Sequence, residues 1–122
     1  ERFWVPGDPG WFAIALDGDK RQVDAVASNM GHLLWCGVPT DAEAGQIARH
    51  LVGPELASGW GLRTLSTAMR GYNPISYHVG SVWPHDTAIA CEGLRTYGLV
   101  DESLTLAEQL LFRAGAVPQT PR

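Results

Sequence analysis

The densest group of side chains that could do chemistry lies between Tyr72 and Asp86, where the sequence reads YNPISYHVGSVWPHD. This segment combines two histidines, three aromatic rings and one carboxylate just before a predicted helix. Flat rings cover the apolar face of a sugar, while imidazole, carboxylate and hydroxyl groups bind its hydroxyls. The composition therefore favours a carbohydrate subsite. The alternative is that Tyr77 and Trp83 belong to the core and that Asp86 only caps the helix.

Other kinds of chemistry fit the sequence less well. His78 and His85 lie on a non-helical stretch without a third ligand nearby, so we expect no metal site and no cofactor. No serine has the G-x-S-x-G context of a nucleophile elbow, and the glycine-rich stretch 53–61 lacks the lysine of a phosphate-binding loop. Glycoside hydrolysis needs two carboxylates. None of the acidic candidates is a convincing general acid: Asp17, Asp19, Asp24, Asp86 and Glu92.

Composition sets the class of protein. The 122 residues are enough for one small domain, and 45% hydrophobic with 18% charged residues is ordinary for a globular chain. Thirteen acidic residues exceed nine basic ones, and the basic ones are scattered, so we expect no nucleic acid partner. No apolar run is long enough to span a membrane. Cys36 and Cys91 are far apart and predict buried free thiols in a reducing cytoplasm.

Helices should position the polar segment. Asn29 and Gly37 bracket a short helix over 30–36. Thr40 and Glu43 form a capping box ahead of an amphipathic helix over 41–52, and the short link between these helices predicts an antiparallel αα-hairpin.

The second half of the chain predicts another such hairpin. Asp86 would cap a helix over 87–97, and Asp101 would cap a helix that ends near Arg113. Between the two hairpins lies an irregular stretch from Pro54 to Pro84 with one strand candidate over 62–65. Because loops of this length within a compact domain are usually functional, we expect the site there.

A β-hairpin is predicted near the start of the chain. The apolar runs 11–16 and 23–26 flank Asp17, Gly18 and Asp19, and an Asp-Gly pair between two such runs is typical of a tight turn.

Four blocks of the sequence resemble the bacterial amylo-α-1,6-glucosidases, which are glycogen-debranching-like glycoside hydrolases. The blocks are WFAIALDG at 11–18, QVDAVASN at 22–29 running into GHLLW at 31–35, GWGLRTLS at 59–66, and the segment from YNP at 72 through WPHD at 86. They cover the chain to about Leu111.

The resemblance implies a mainly α fold, an (α/α)6 toroid that hydrolyses α-glucosidic bonds with inversion. Residues 1–112 would be a fragment of its catalytic domain, 113–122 a disordered tail, and both catalytic carboxylates would lie outside the chain. The bound partner would be a glucan or oligosaccharide. Ser28, Gly31, Gly61 and Thr64 would flank the pocket, and the substrate-binding residues would be Asn29, His32, Arg63, Tyr77, His78, Trp83, His85 and Asp86.

Two further hypotheses remain open. The chain could be a noncatalytic carbohydrate-binding module that uses Trp60, Trp83 and Tyr77 as platforms. It could also be a helical fragment without activity of its own, whose exposed apolar surface would cause self-association.

Overall fold

A computed structural model describes residues 3–23, 25–73, 75 and 80–116. The described residues form four helices and two small antiparallel sheets, each of two strands. The strands are β1 (Trp4–Val5), β2 (Trp11–Phe12), β3 (Ala15–Leu16) and β4 (Gln22–Val23), and the helices are α1 (Met30–Cys36), α2 (Asp41–Val52), α3 (Pro84–Thr96) and α4 (Val100–Ala116). The mainly helical class predicted from the sequence is therefore confirmed. No helix in the described ranges is long and apolar enough to cross a membrane.

The first two helices have the predicted bounds. The Thr40 hydroxyl accepts the Glu43 N–H at 3.2 Å, and the Glu43 carboxylate accepts the Thr40 N–H at 2.9 Å. This is the capping box that the spacing predicts. Gly37 ends α1 in the left-handed region, with φ 76°. Asn29 precedes α1 as predicted, but its side chain makes no capping hydrogen bond.

Helix α1 packs chiefly on α3, and its contact with α2, the partner that the sequence predicts, is small. Two glycines explain the preference. A Cβ on Gly31 would lie 2.6 Å from the Ala90 Cβ, and one on Gly93 would lie 2.7 Å from the Leu34 Cβ. The two backbones therefore approach so closely that no side chain fits between them at either point. The predicted pairing of α3 with α4 is confirmed.

Helices α3 and α4 each begin earlier than the sequence predicts. Trp83, not Asp86, is the N-cap of α3, and Pro84 occupies the first turn, where its missing N–H costs nothing. Asp101 lies inside the first turn of α4 instead of capping it. This helix continues past Arg113 to Ala116, so the predicted tail 113–122 begins within it. The rest of that tail lies outside the described residues.

The predicted β-hairpin is present with shorter strands. Leu16 pairs with Gln22 and Ala15 with Val23, while the Asp17 carboxylate accepts the N–H groups of Asp19 and Arg21 across the turn. Trp11–Phe12 pairs instead with Trp4–Val5, a partner strand that the sequence analysis did not identify.

The long irregular stretch contains three isolated bridges, two within the stretch and one to the segment before α1. Leu62 pairs with Ala57, Arg63 with Val82, and Leu65 with Ala27. The predicted strand over 62–65 is therefore a set of single bridges to three different segments, and not a regular strand.

The core lies where α1, α2, α3 and α4 meet the first sheet. It contains Phe12, Val26, Met30, Leu34, Ala44, Ile47, Ala48, Leu51, Leu56, Leu62, Ala90, Leu94 and Leu106. Other large apolar side chains remain exposed, among them Trp35, Val38, Leu104 and Leu111. Self-association through them stays a prediction.

Both cysteines are free, as predicted, but neither is fully buried. Cys36 is exposed at the last position of α1, so the predicted burial is wrong there. Cys91 lies beside α4 and is half-buried, and this burial raises the pKa of its thiol.

Tyr97 links the end of α3 to the α1–α2 connection, and its hydroxyl donates to the Pro39 carbonyl at 2.6 Å. Burial raises the pKa of this hydroxyl, and the charges of Asp41 and Glu43 raise it further. The neutral hydroxyl is the form that the folded state favours. Its contribution to stability is therefore complete below the unfolded pKa of about 10 and is lost as pH rises through the higher folded-state pKa.

We therefore expect the free energy of unfolding in urea to fall above about pH 10. The Tyr97→Phe variant loses the hydrogen bond, so its free energy of unfolding at neutral pH is expected to be about 1 kcal/mol lower than that of the wild type. This free energy should fall less with rising pH than that of the wild type, because Phe cannot ionise. Parallel pH profiles for the two proteins would contradict this role of Tyr97.

Candidate functional site

Asp86 is the centre of a polar cluster where the first turns of α1 and α3 meet. It lies at the third position of α3, where a carboxylate is favoured by the helix dipole. A side chain at this position often bonds back to its own helix, yet no side-chain capping bond is present at α3. The prediction that Asp86 only caps a helix is thus wrong.

The Asp86 carboxylate instead bonds to residues of the α1 segment. Ser28 Oγ donates to Asp86 Oδ2 at 2.9 Å, and His32 Nε2 lies 3.1 Å from Asp86 Oδ1. His85 Nδ1 lies 3.9 Å from the same Oδ1, and the two imidazole centroids are 6.3 Å apart. We call Ser28, His32, His85 and Asp86 the Asp86 cluster.

The cluster is open to solvent on one side. The Asp86 side chain is 24% exposed, His32 39% and His85 75%. Ser28 is buried at 2% exposed. The carboxylate is therefore bonded to a buried hydroxyl on one side, while its imidazole neighbours are accessible to solvent.

Two cavities adjoin the cluster. One of about 290 Å³ is lined by Ser28, Asn29, Thr64 and Asp86 together with apolar side chains. The other, of about 440 Å³, places Asn29 and His32 opposite an apolar wall. Asn29 and Ile14 line both cavities, so the two are adjacent, and we refer to them together as the cleft. Such a combination of a few polar groups and an apolar wall is typical of a small-molecule site.

Thr64 fixes the floor of the cleft. Its carbonyl accepts the Ser28 N–H at 3.2 Å, its N–H donates to the Ser81 carbonyl at 2.9 Å, and its hydroxyl accepts the Gly80 N–H at 2.8 Å. Because Thr64 bonds both to Ser28 and to the end of the long irregular stretch, it links Ser28 to the segment that leads into α3.

Of the eight predicted substrate-binding residues, four lie at or beside the cleft, two do not, and two lie outside the described residues. Asn29, His32 and Asp86 line the cleft, and His85 lies next to Asp86. Arg63 is directed elsewhere, since its Nη1 donates to the Pro54 carbonyl at 2.8 Å.

Trp83 is half-buried as the N-cap of α3, and its indole N–H donates to Ser81 Oγ at 2.9 Å. Neither cavity of the cleft is lined by it. Tyr77 and His78 lie outside the described residues, as does Asp24.

The apolar wall was not found by the sequence analysis. Phe3, Phe12, Ile14, Leu33 and Val38 come from the first sheet, its flank and the α1 region. The only feature of these residues in the sequence is their hydrophobicity, which predicts a position in the core as well as it predicts a position in the wall of a cavity.

Other acidic side chains have structural partners. Asp17 and Asp19 pair with Arg21 across the hairpin turn. Glu92 pairs with Arg95, whose hydrogen bonds lower the pKa of the glutamate. A general acid needs a raised pKa, which is the opposite shift.

In the portion of the chain with assigned structure, no three His, Cys, Asp or Glu side chains are grouped to hold a metal ion.

Comparison with known families gives one match, to a glycoside hydrolase domain. The family described as the mannosylglycerate hydrolase MGH1-like glycoside hydrolase domain matches residues 1–116. A comparison with curated proteins gave no significant match. Because the family match covers nearly the whole sequence, the chain belongs to the MGH1-like glycoside hydrolase domain family.

Proposed function

We propose that the Asp86 cluster is a subsite for a neutral sugar in a glycoside hydrolase that acts on α-linked glucans. The observation that carries the proposal is the Asp86 carboxylate, anchored by Ser28 Oγ at 2.9 Å and His32 Nε2 at 3.1 Å at the edge of the cleft. A carboxylate oxygen accepts more than one hydrogen bond, so each oxygen can still accept a sugar hydroxyl. The Asn29 amide can both donate and accept beside it.

The charge of the cluster favours a neutral ligand. Mannosylglycerate, named in the family description, carries a carboxylate on its glycerate group. A second carboxylate next to Asp86 would be repelled, and the ion-pair partners that the described residues give Asp86 are the two histidines. The basic side chain nearest in sequence to the floor of the cleft, Arg63, is engaged by the Pro54 carbonyl. Neutral glucans therefore fit this subsite better than mannosylglycerate.

The resemblance to amylo-α-1,6-glucosidases supports a more specific assignment. The proposed parent reaction is inverting hydrolysis of α-1,6 branch bonds in an (α/α)6 toroid in the cytoplasm. Inversion needs an acid and a base carboxylate about 6.5–9.5 Å apart with a water between them. Asp86 binds substrate in this account, and Glu92 has the wrong pKa shift for the acid. We therefore propose that the catalytic pair is supplied outside these 122 residues and that the chain alone is inactive.

The second candidate function is a noncatalytic carbohydrate-binding module. The exposed ring of Trp60, at 39% exposed, favours it. In that case binding would depend on aromatic platforms and not on Asp86.

Hydrolysis assays test the proposal. We expect the chain to release no glucose from panose or maltooligosaccharides and no mannose from mannosylglycerate. If the chain releases any sugar, the Asp86→Asn variant shows whether that release depends on the Asp86 carboxylate. Measurable turnover by the wild-type chain would contradict its proposed inactivity. If Asp86→Asn abolished that turnover while the affinity for substrate stayed unchanged, the substrate-binding role would be wrong, because Asp86 would then be catalytic.

A further inference from the structure

The turn from Ser58 to Gly61, which we call the Trp60 turn, is unusually well fixed for a surface loop. The Ser58 N–H and hydroxyl both donate to the Gly61 carbonyl, at 2.9 Å and 2.8 Å. Ser58 Oγ accepts the Trp60 N–H at 3.1 Å. Gly59 and Gly61 take positive φ values of 89° and 137°, which residues with side chains rarely adopt.

A side chain of helix α4 also bonds to this turn. The side-chain oxygen of Gln109 accepts two backbone N–H groups, those of Gly59 and Gly61, each at 3.1 Å. All three consecutive N–H groups from 59 to 61 are therefore bonded to side-chain oxygens. One amide oxygen on a helix thus determines the orientation of a two-glycine turn with a tryptophan at its centre.

The Trp60 turn rests on the part of α3 that carries the Asp86 cluster. The Leu62 N–H donates to Thr87 Oγ1 at 2.9 Å, and Thr87 directly follows Asp86. A Cβ on Gly61 would lie 2.8 Å from the same Thr87 hydroxyl. The turn is therefore linked to the first turn of α3 through Leu62 and Thr87, next to Asp86.

We propose that Trp60 is an aromatic platform on which a further unit of a neutral oligosaccharide stacks, and that Gln109 is the residue that positions it. The proposal rests on the function proposed for the Asp86 cluster. An indole binds the apolar face of a pyranose ring, and a turn whose backbone is fixed before binding loses little entropy when the ligand arrives. Trp35 is more exposed than Trp60, at 55% against 39%, and lies near the end of a helix. It therefore serves as the matched control.

Calorimetric titration of the full chain with maltotriose and with methyl α-glucoside tests the platform. We expect Trp60→Leu to weaken maltotriose binding about tenfold, Trp60→Phe to weaken it less, and Trp35→Leu to leave it unchanged. The affinity for methyl α-glucoside, which fills one subsite only, is expected to stay the same in all three variants. A loss of fold would lower both affinities together.

The role of Gln109 is tested by a conservative pair of variants. Gln109→Leu removes the acceptor and should lower maltotriose affinity severalfold, whereas Gln109→Glu keeps an acceptor oxygen and should restore it. If the wild type binds neither ligand, the proposed function and the platform both fail. If binding depends on Asp86 but is equally tight in Trp60→Leu, the platform alone is wrong.

Discussion

Replacing Asp86 by alanine is expected to weaken oligosaccharide binding about a hundredfold or more. Hydrogen bonds to a charged group each contribute about 1.5–3 kcal/mol, and 1.4 kcal/mol corresponds to a factor of ten in affinity. The carboxylate that accepts the sugar hydroxyls would be lost, and Ser28 and His32 would lose their shared partner. Asp86→Asn retains one acceptor oxygen, so its affinity for oligosaccharide should lie between those of the wild type and Asp86→Ala.

Asp86→Ala is also expected to cost about 1 kcal/mol or more of folding stability, because the buried Ser28 hydroxyl loses its acceptor. The Asp86 carboxylate at the α3 N-terminus contributes about 0.3–1 kcal/mol through the helix dipole, and its partly exposed pair with His32 adds little. Asp101→Ala is the matched control, because Asp101 lies in the first turn of α4 and is exposed. It should lose only the helix-dipole part of this stability and no affinity. Equal affinity in Asp86→Ala and Asp101→Ala would contradict the subsite.

Replacing Gly93 by alanine is expected to give the largest loss of folding stability, about 1–3 kcal/mol or more. The new Cβ would lie 2.7 Å from the Leu34 Cβ, 2.8 Å from the Trp35 N and 3.0 Å from the Gly31 carbonyl oxygen. These are rigid parts of α1, so the two helices must separate. Because α1 carries His32, the separation should also lower the affinity for sugar.

Gly45→Ala provides the matched comparison within a helix. Nothing lies within 4 Å of the position that its Cβ would take, and alanine is favoured over glycine in helices by about 1 kcal/mol. The variant should therefore unfold at higher urea concentration than the wild type, while Gly93→Ala unfolds at lower. A Gly93→Ala variant as stable as Gly45→Ala would contradict the close packing of α1 on α3.

Local features of the sequence predict local structure well here. The bounds of α2 follow from Thr40, Glu43 and a periodic apolar face, all within one segment. The pairing of α1 with α3 could not be predicted in this way. It depends on Gly31 fitting against Ala90 and Gly93 against Leu34, contacts between residues about sixty positions apart.

The candidate site shows the same limit. The sequence indicates that the segment ending at Asp86 is polar and aromatic, and resemblance implies that Ser28 and His32 lie nearby. Whether Asp86 caps its own helix or serves a cleft is decided by hydrogen bonds to partners 58 and 54 positions away. The engagement of Arg63 by the Pro54 carbonyl likewise depends on how the loop turns back, which no periodicity encodes.

The most direct test of the proposed subsite is a titration of histidine-labelled protein with panose, followed by NMR of the imidazole groups. His32 and His85 belong to the Asp86 cluster, whereas His50 Nε2 lies 3.0 Å from the Pro9 carbonyl at a different cavity. We expect the resonances of His32 and His85 to shift with panose and that of His50 to stay unchanged. Shifts confined to His50, or no shift at saturating panose, would contradict the assignment of the Asp86 cluster as a sugar subsite.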